Sequence, residues 1–151
     1  MPCGGAYVKH STTQAVKTAF LWRFLFSTTN QMRKITRESV KAFKDAKKFK
    51  SSNTEVFDGG NGYIQFYLFW NQIAQVRHND ELNADVLLIE DAGRKTKTTK
   101  ERLNGILNAY GLGYIYQKGK DANNKTAWFY VDQFGNEEKR DSRKTFELNK
   151  N

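Results

Sequence analysis

Between Tyr63 and Phe69 the chain alternates strictly, with Ile64, Phe66 and Leu68 on one side of an extended strand and Tyr63, Gln65 and Tyr67 on the other. Shorter apolar runs flank it. Thr54–Phe57 reads as a strand closed by the turn Asp58-Gly59-Gly60-Asn61-Gly62. Trp70-Asn71-Gln72 is expected to reverse the chain into Ile73–Arg77, and His78–Glu81 turns it again before a strand at Asp85–Ile89. Strands this closely spaced predict an antiparallel meander, because parallel pairing needs long crossovers. Two segments break the period of two. Behind Thr36, a residue able to cap a helix, Val40, Phe43 and Ala46 or Lys47 recur at helical spacing, and Phe49 extends the same face. Leu103, Ile106, Leu107 and Tyr110 line a second helix, with Thr98 and Glu101 at capping-box spacing and Gly111 at its stop. Gly113–Lys118 and Ala127–Asp132 complete the strands, joined by a polar connection at Lys120–Lys125. The expected fold class is α+β, an antiparallel β-meander packed against two short α-helices.

The ends differ from this middle. Residues 1–31 hold Lys9, Lys17 and Arg23 but no Asp or Glu, and are rich in Ser and Thr. Arg23 interrupts the apolar stretch Ala19–Phe26, which argues against a secretory signal; a transit peptide fits the composition, and an extension upstream of a start at Met32 is the favoured reading. It is expected to be helical or disordered. From residue 135 the chain is mostly charged and reads as a tail. The expected division is an extension (1–31), an α+β domain (32–134) and a charged tail (135–151).

Composition narrows the classes. Aromatic residues reach 14%, which supplies a core despite only 38% hydrophobic residues and argues against wholesale disorder. A formal charge of +9 favours acidic partners. Cys3 is the single cysteine, so no intramolecular disulfide forms, and with only His10 and His78 no zinc cluster is spelled out. No apolar run approaches the ~20 residues of a membrane span, so no membrane association is expected.

Two stretches concentrate the positive charge. One is the first helix and its end, with Lys41, Lys44 and Lys48; the other is Arg94, Lys95, Lys97 and Lys100 around the start of the second helix. If they share a face they can track a phosphate backbone, with Tyr67 and Trp70 available to stack on bases; equally, lysines of this kind solvate a surface and aromatics fill a core. Unpaired N–H groups at the second helix start, with Thr98 among the hydroxyls, form a physically reasonable anion site, although the glycine spacing of a phosphate loop is absent. Asp80-Glu81 and Glu90-Asp91 are adjacent carboxylates that a strand would point to opposite faces, so they make no acid–base pair. No catalytic residue, metal or cofactor is expected.

Four stretches in order resemble a family of small accessory proteins of tailed bacteriophages. Met32-Arg33-Lys34-Ile35-Thr36 leads the first helix and Ser52-Asn53-Thr54-Glu55-Val56 opens the sheet. Tyr67-Leu68-Phe69-Trp70-Asn71-Gln72-Ile73-Ala74 is similar to the family's Tyr-Leu-His-Gly-Asn-x-Ile-Ala hairpin, and Ala92–Asn104 is similar to its Ala-Gly-Trp-x-Thr-x-Thr-Thr-x-x-Arg-Leu-Asn segment. The resemblance spans roughly residues 32–131. It departs from the pattern at Phe69-Trp70, where His-Gly is usual, and at Arg94, where Trp is usual. It implies a phage setting and a compact α+β fold, and no activity. The expectation is therefore a non-enzymatic phage protein in the host cytoplasm that binds nucleic acid, with inhibition of a host protein as the alternative and a place in the virion as a third.

Overall fold

The computed structural model describes residues 32–149. The readings of the extension, Cys3 and His10 included, lie outside that range. Residues 33–149 form one compact unit. Its elements in order are α1 (Lys34–Lys44), β1 (Phe49–Ser51), β2 (Thr54–Asp58), β3 (Ile64–Leu68), β4 (Asn71–Asn79), β5 (Ala84–Glu90), α2 (Lys97–Ala109), β6 (Tyr114–Lys120), β7 (Thr126–Val131), β8 (Glu137–Lys139) and β9 (Arg143–Leu148). Every strand pairing is antiparallel, and the fold is α+β built mostly on a meander.

The strands divide into a six-stranded sheet, ordered β1-β2-β3-β4-β5-β9, and a three-stranded sheet, β6-β7-β8. Val56, Ile64, Phe66, Leu68, Leu87 and Ile89 turn inward from the large sheet to meet Val40 and Phe43 of α1 and Leu103, Ile106 and Leu107 of α2. Ile115, Trp128 and Tyr130 of the small sheet join the same core. The alternation that marks β3 in the sequence is thus the core-facing and outward-facing division of its side chains.

The charged stretch from residue 135 is not a tail but part of the fold. Glu137–Lys139 pairs with β7, and Arg143–Leu148 pairs with β5 along its length, Leu87 opposite Phe146 and Glu90 opposite Arg143. Phe146 and Leu148 pack on the core while Arg143 bonds Glu90 at 3.1 Å. A strand with two apolar residues is stabilised by its cross-strand partners, which a local pattern does not contain.

Helix ends also move. α1 stops at Lys44, where Ala46 adopts φ 54° and the Ala46 and Lys47 N–H groups bond back to the Phe43 and Ala42 carbonyls. This is a Schellman end with alanine in the position glycine usually takes, so Phe49 leaves the helix and enters β1. At α2 the expected Gly111 stop is present with the same bond pattern, Gly111 at φ 65°. The cap of α2 is Thr96, whose hydroxyl accepts from the Thr99 N–H at 3.1 Å, in place of Thr98.

Glu101, released from the expected capping box, works across the helix pair. Its carboxylate accepts from the Arg33 N–H at the start of α1 (3.3 Å), from the Arg33 guanidinium (2.7 Å) and from the Thr36 hydroxyl (2.5 Å). It thereby caps α1 from a neighbouring helix, and Thr36 is a buried link instead of a cap. Burial pushes the Glu101 carboxyl up, but the hydrogen bonds from Arg33 and Thr36 prevail and hold it below the ordinary glutamate value. A folded-state pKa below the unfolded one contributes stability that is complete above the unfolded value and lost as pH falls through the folded one. Glu101→Gln is expected to cost about 1–3 kcal/mol at pH 7. In urea titrations at pH 7 and at acid pH, the gap between wild type and variant should close on acidification.

Candidate functional site: a cationic, aromatic end of the large sheet

The strand register sorts the connections into two ends. Ser51 pairs with Thr54, Thr54 with Leu68, and Leu68 with Asn71, so the β1–β2 and β3–β4 turns lie at one end of the sheet. β5 runs toward that same end, since Ile89 lies opposite Ala74, and the Asp91–Thr96 loop emerges there. The start of α2 is tied to it through Arg102, which is 1% exposed and donates to Thr36 and, at 3.4 Å, to Thr54. The other end holds the turns after Asp58 and Asn79, and with them Asp58, Asp80, Glu81 and Asp85. Charge is therefore graded along the strands, acidic at one end and basic at the other.

Of the residues singled out from sequence, Arg94, Lys95, Lys97, Thr98 and Lys100 follow β5 at the basic end, the end at which Tyr67 and Trp70 also lie, although Tyr67 and Trp70 line the outward face of β2 and β3 and α2 packs on the opposite face. Lys41, Lys44 and Lys48 do not join them. Lys41 pairs with Asp45 at 2.5 Å, and the Lys44 ammonium donates to the Ala109 carbonyl at 2.8 Å, closing the C-terminal end of α2. Lys48 sits exposed before β1, which runs away from it toward the basic end. The two basic stretches thus form separate groups. Lys44→Met is expected to cost about 0.5–1 kcal/mol in a thermal melt, through the lost helix-end contact, and to leave any binding at the basic end unchanged.

At the basic end the carboxylates are already matched. Glu55 faces Lys50 (3.8 Å), Glu101 faces Arg33, Glu90 faces Arg143, and the buried Asp91 faces the buried Arg140 (3.3 Å). Asp91 also accepts from the Gly93 N–H at 2.8 Å, which fixes the start of the loop carrying Arg94 and Lys95. The charge of Lys95 helps to hold the Asp121 carboxyl down, where the leading cause is a hydrogen bond from the Lys125 backbone. Thr98 sits near the Arg33 guanidinium, 3.5 Å away. Among the described residues no carboxylate pairs with Arg94, Lys97 or Lys100, so their charge is uncompensated beside the α2 N-terminus.

The β3–β4 turn holds the feature that sequence reasoning misplaced by one residue. The two-residue loop is Phe69-Trp70, with Asn71 and Gln72 already in β4. Phe69 has φ 49° and Trp70 φ 65°. Two positive φ values mark the hairpin turn that Asn-Gly favours, and for bulky residues that conformation costs about 1–2 kcal/mol each. The turn is held by its surroundings: the Phe69 N–H donates to the Asn53 carbonyl (2.8 Å) and the Asn71 amide to the Phe69 carbonyl (2.8 Å). Trp70 is 82% exposed and Phe69 47%. Beneath Trp70, an open cleft of about 310 Å³ is lined by Glu55, Phe57, Gln65, Tyr67 and Trp70. The Lys50 ammonium lies 5.5 Å from the centre of the Trp70 ring. Phe57 is not singled out in the sequence, and Lys50 stands there only among the lysines that follow the first helix; Glu55 and Phe57 share one face of β2, and pairing with β3 sets them opposite Tyr67 and Gln65.

Fold and site together define a small α+β domain with a cationic, aromatic-bearing end and no metal-binding group of three or more His, Cys, Asp or Glu among the described residues. The family model described as Kyanoviridae Gp96 protein matches residues 32–145. The chain belongs to this family of cyanophage proteins. The match runs beyond residue 131 and takes in β8 and the start of β9, in line with their place in the fold. No curated protein and no solved structure matches the chain.

Proposed function

We propose that this protein is a non-enzymatic phage accessory protein that acts in the host cytoplasm by binding nucleic acid. The observation that carries this reading is that Arg94, Lys97 and Lys100, with which no carboxylate pairs among the described residues, lie at the end of the sheet that also carries the Phe69-Trp70 turn, where the neighbouring carboxylates are internally paired. Unpaired cations beside a helix N-terminus attract phosphate, and displacement of counterions makes such binding steeply salt-dependent. Lys41, Lys44 and Lys48 lie apart from this surface and contribute little to it.

The test is retention of fluorescent oligonucleotides at about 50 mM salt, followed by a salt titration. Arg94→Ala/Lys97→Ala is expected to lower affinity and to reduce the slope of log K against log salt by about two. An absence of any DNA or RNA binding at low salt overturns the reading and leaves a protein target in the host as the alternative, for which a nuclease-treated pull-down is the assay.

A further inference from the structure

We propose that the Phe69-Trp70 turn, with Tyr67 and Phe57 beside it, is a base-stacking platform that makes the ligand single-stranded nucleic acid. The inference rests on the nucleic-acid reading and deepens it.

The turn carries the first part of the argument. Phe69 and Trp70 occupy backbone conformations that suit Asn and Gly, yet neither ring is used to fill the core. Trp70 is 82% exposed and Phe69 and Phe57 are each 47% exposed, so the strained backbone is not compensated by burial. Strain of this kind persists where the side chains serve something outside the fold. Phe57, Tyr67 and Trp70 all line one cleft on the outward face of β2 and β3, a sheet surface whose opposite face packs on the helices. Flat, exposed rings on such a surface accept unstacked bases, and a duplex keeps its base faces covered.

Polar groups around the rings fit the same ligand. Lys50 stands over Trp70, and Arg94 and Lys97 lie at the same end of the sheet, so phosphates have cations to follow while bases stack. Glu55 lines the cleft but is paired with Lys50, and a carboxylate there can accept a hydrogen bond from an exocyclic amino group of a base. Gln65 and Gln72 are bonded to each other at 3.1 Å, and Gln72 to Gln75 at 2.6 Å, which braces the outward face.

The experiment uses the full chain, a fluorescent single strand of about 12 nucleotides and a duplex of the same length and sequence, with anisotropy as readout. Phe69→Asn/Trp70→Gly replaces the two rings with the residues the turn favours. It is expected to raise the melting temperature and, at the same time, to weaken single-strand binding about tenfold or more. Duplex binding should change little, and Trp70→Tyr should keep most of the single-strand affinity. An unchanged single-strand affinity in the Asn-Gly variant, with Arg94→Ala/Lys97→Ala still weakening it, overturns the platform and leaves the cationic end standing. Failure of both strands to bind wild type overturns the nucleic-acid reading itself.

Discussion

Arg102→Met is expected to destabilise the protein by about 3–5 kcal/mol, read as a large fall in the urea midpoint. The guanidinium is buried and its partners come from three elements: Thr36 on α1, Thr54 on β2 and Glu101, its neighbour on α2, at 3.2 Å. Burial pushes the Arg102 pKa down from its ordinary value, against the attraction of Glu101 and with repulsion from Arg33 adding to it. Methionine fills much of the volume but leaves the Thr36 and Thr54 hydroxyls short of a donor in a site closed to water. It also removes one of the cations beside Glu101, which keeps Arg33. Arg102→Lys should recover little, since an ammonium does not reproduce the planar fork that reaches several acceptors at once. If the Lys variant is as stable as wild type, the network is a simple charge pair and the directional account is wrong. The same substitution should loosen the basic end, because Arg102 is what ties the α1 and α2 starts to the Thr54 end of the sheet.

Arg102 also shows where sequence reading stops. Leu103, Ile106 and Leu107 declare α2 by their spacing, and Ile64, Phe66 and Leu68 declare β3, because those periods are written in consecutive residues. An arginine within an amphipathic helix reads as solvated, and only the packing of β2 and α1 against it makes it a buried hub. β9 is hidden for a related reason: its partner, β5, lies over fifty residues earlier, Glu90 opposite Arg143, and its apolar content is two residues. Of the candidate site, the cations and two of the aromatic residues are legible singly. What sequence does not contain is which of them share an end of the sheet. The Phe69-Trp70 turn is the sharpest case, since turn chemistry points to Asn-Gly and the chain there places two aromatics. A local rule broken at an exposed, cation-flanked tip is where function is expected to override stability.

Arg140→Met is expected to cost about as much as loss of Arg102, ~3–5 kcal/mol, by a different route. Arg140 follows β8 and Asp91 follows β5, so their contact joins the small sheet to the large one, and both side chains are 1% exposed. The guanidinium also donates to the Ser142 carbonyl at 3.1 Å and lies 5.8 Å from the centre of the buried Trp128 ring. Removing it strands the Asp91 charge in the interior, and that stranded charge is most of the cost. Asp91→Asn in the Arg140→Met background should therefore recover a good part of the loss, because asparagine keeps an acceptor for the Gly93 N–H without the charge. The two changes together should cost less than their sum by about 2 kcal/mol, well beyond the ~0.5 kcal/mol within which independent sites add. Additive costs would show that the pair contributes no coupling. The double variant also separates fold from function. Its Gly93 anchor is kept and Arg94 and Lys97 are untouched, so at temperatures where it is folded its affinity for a single-stranded oligonucleotide should match wild type, whereas Arg140→Met alone, with its loop anchor drawn toward water by an unpaired charge, should bind more weakly.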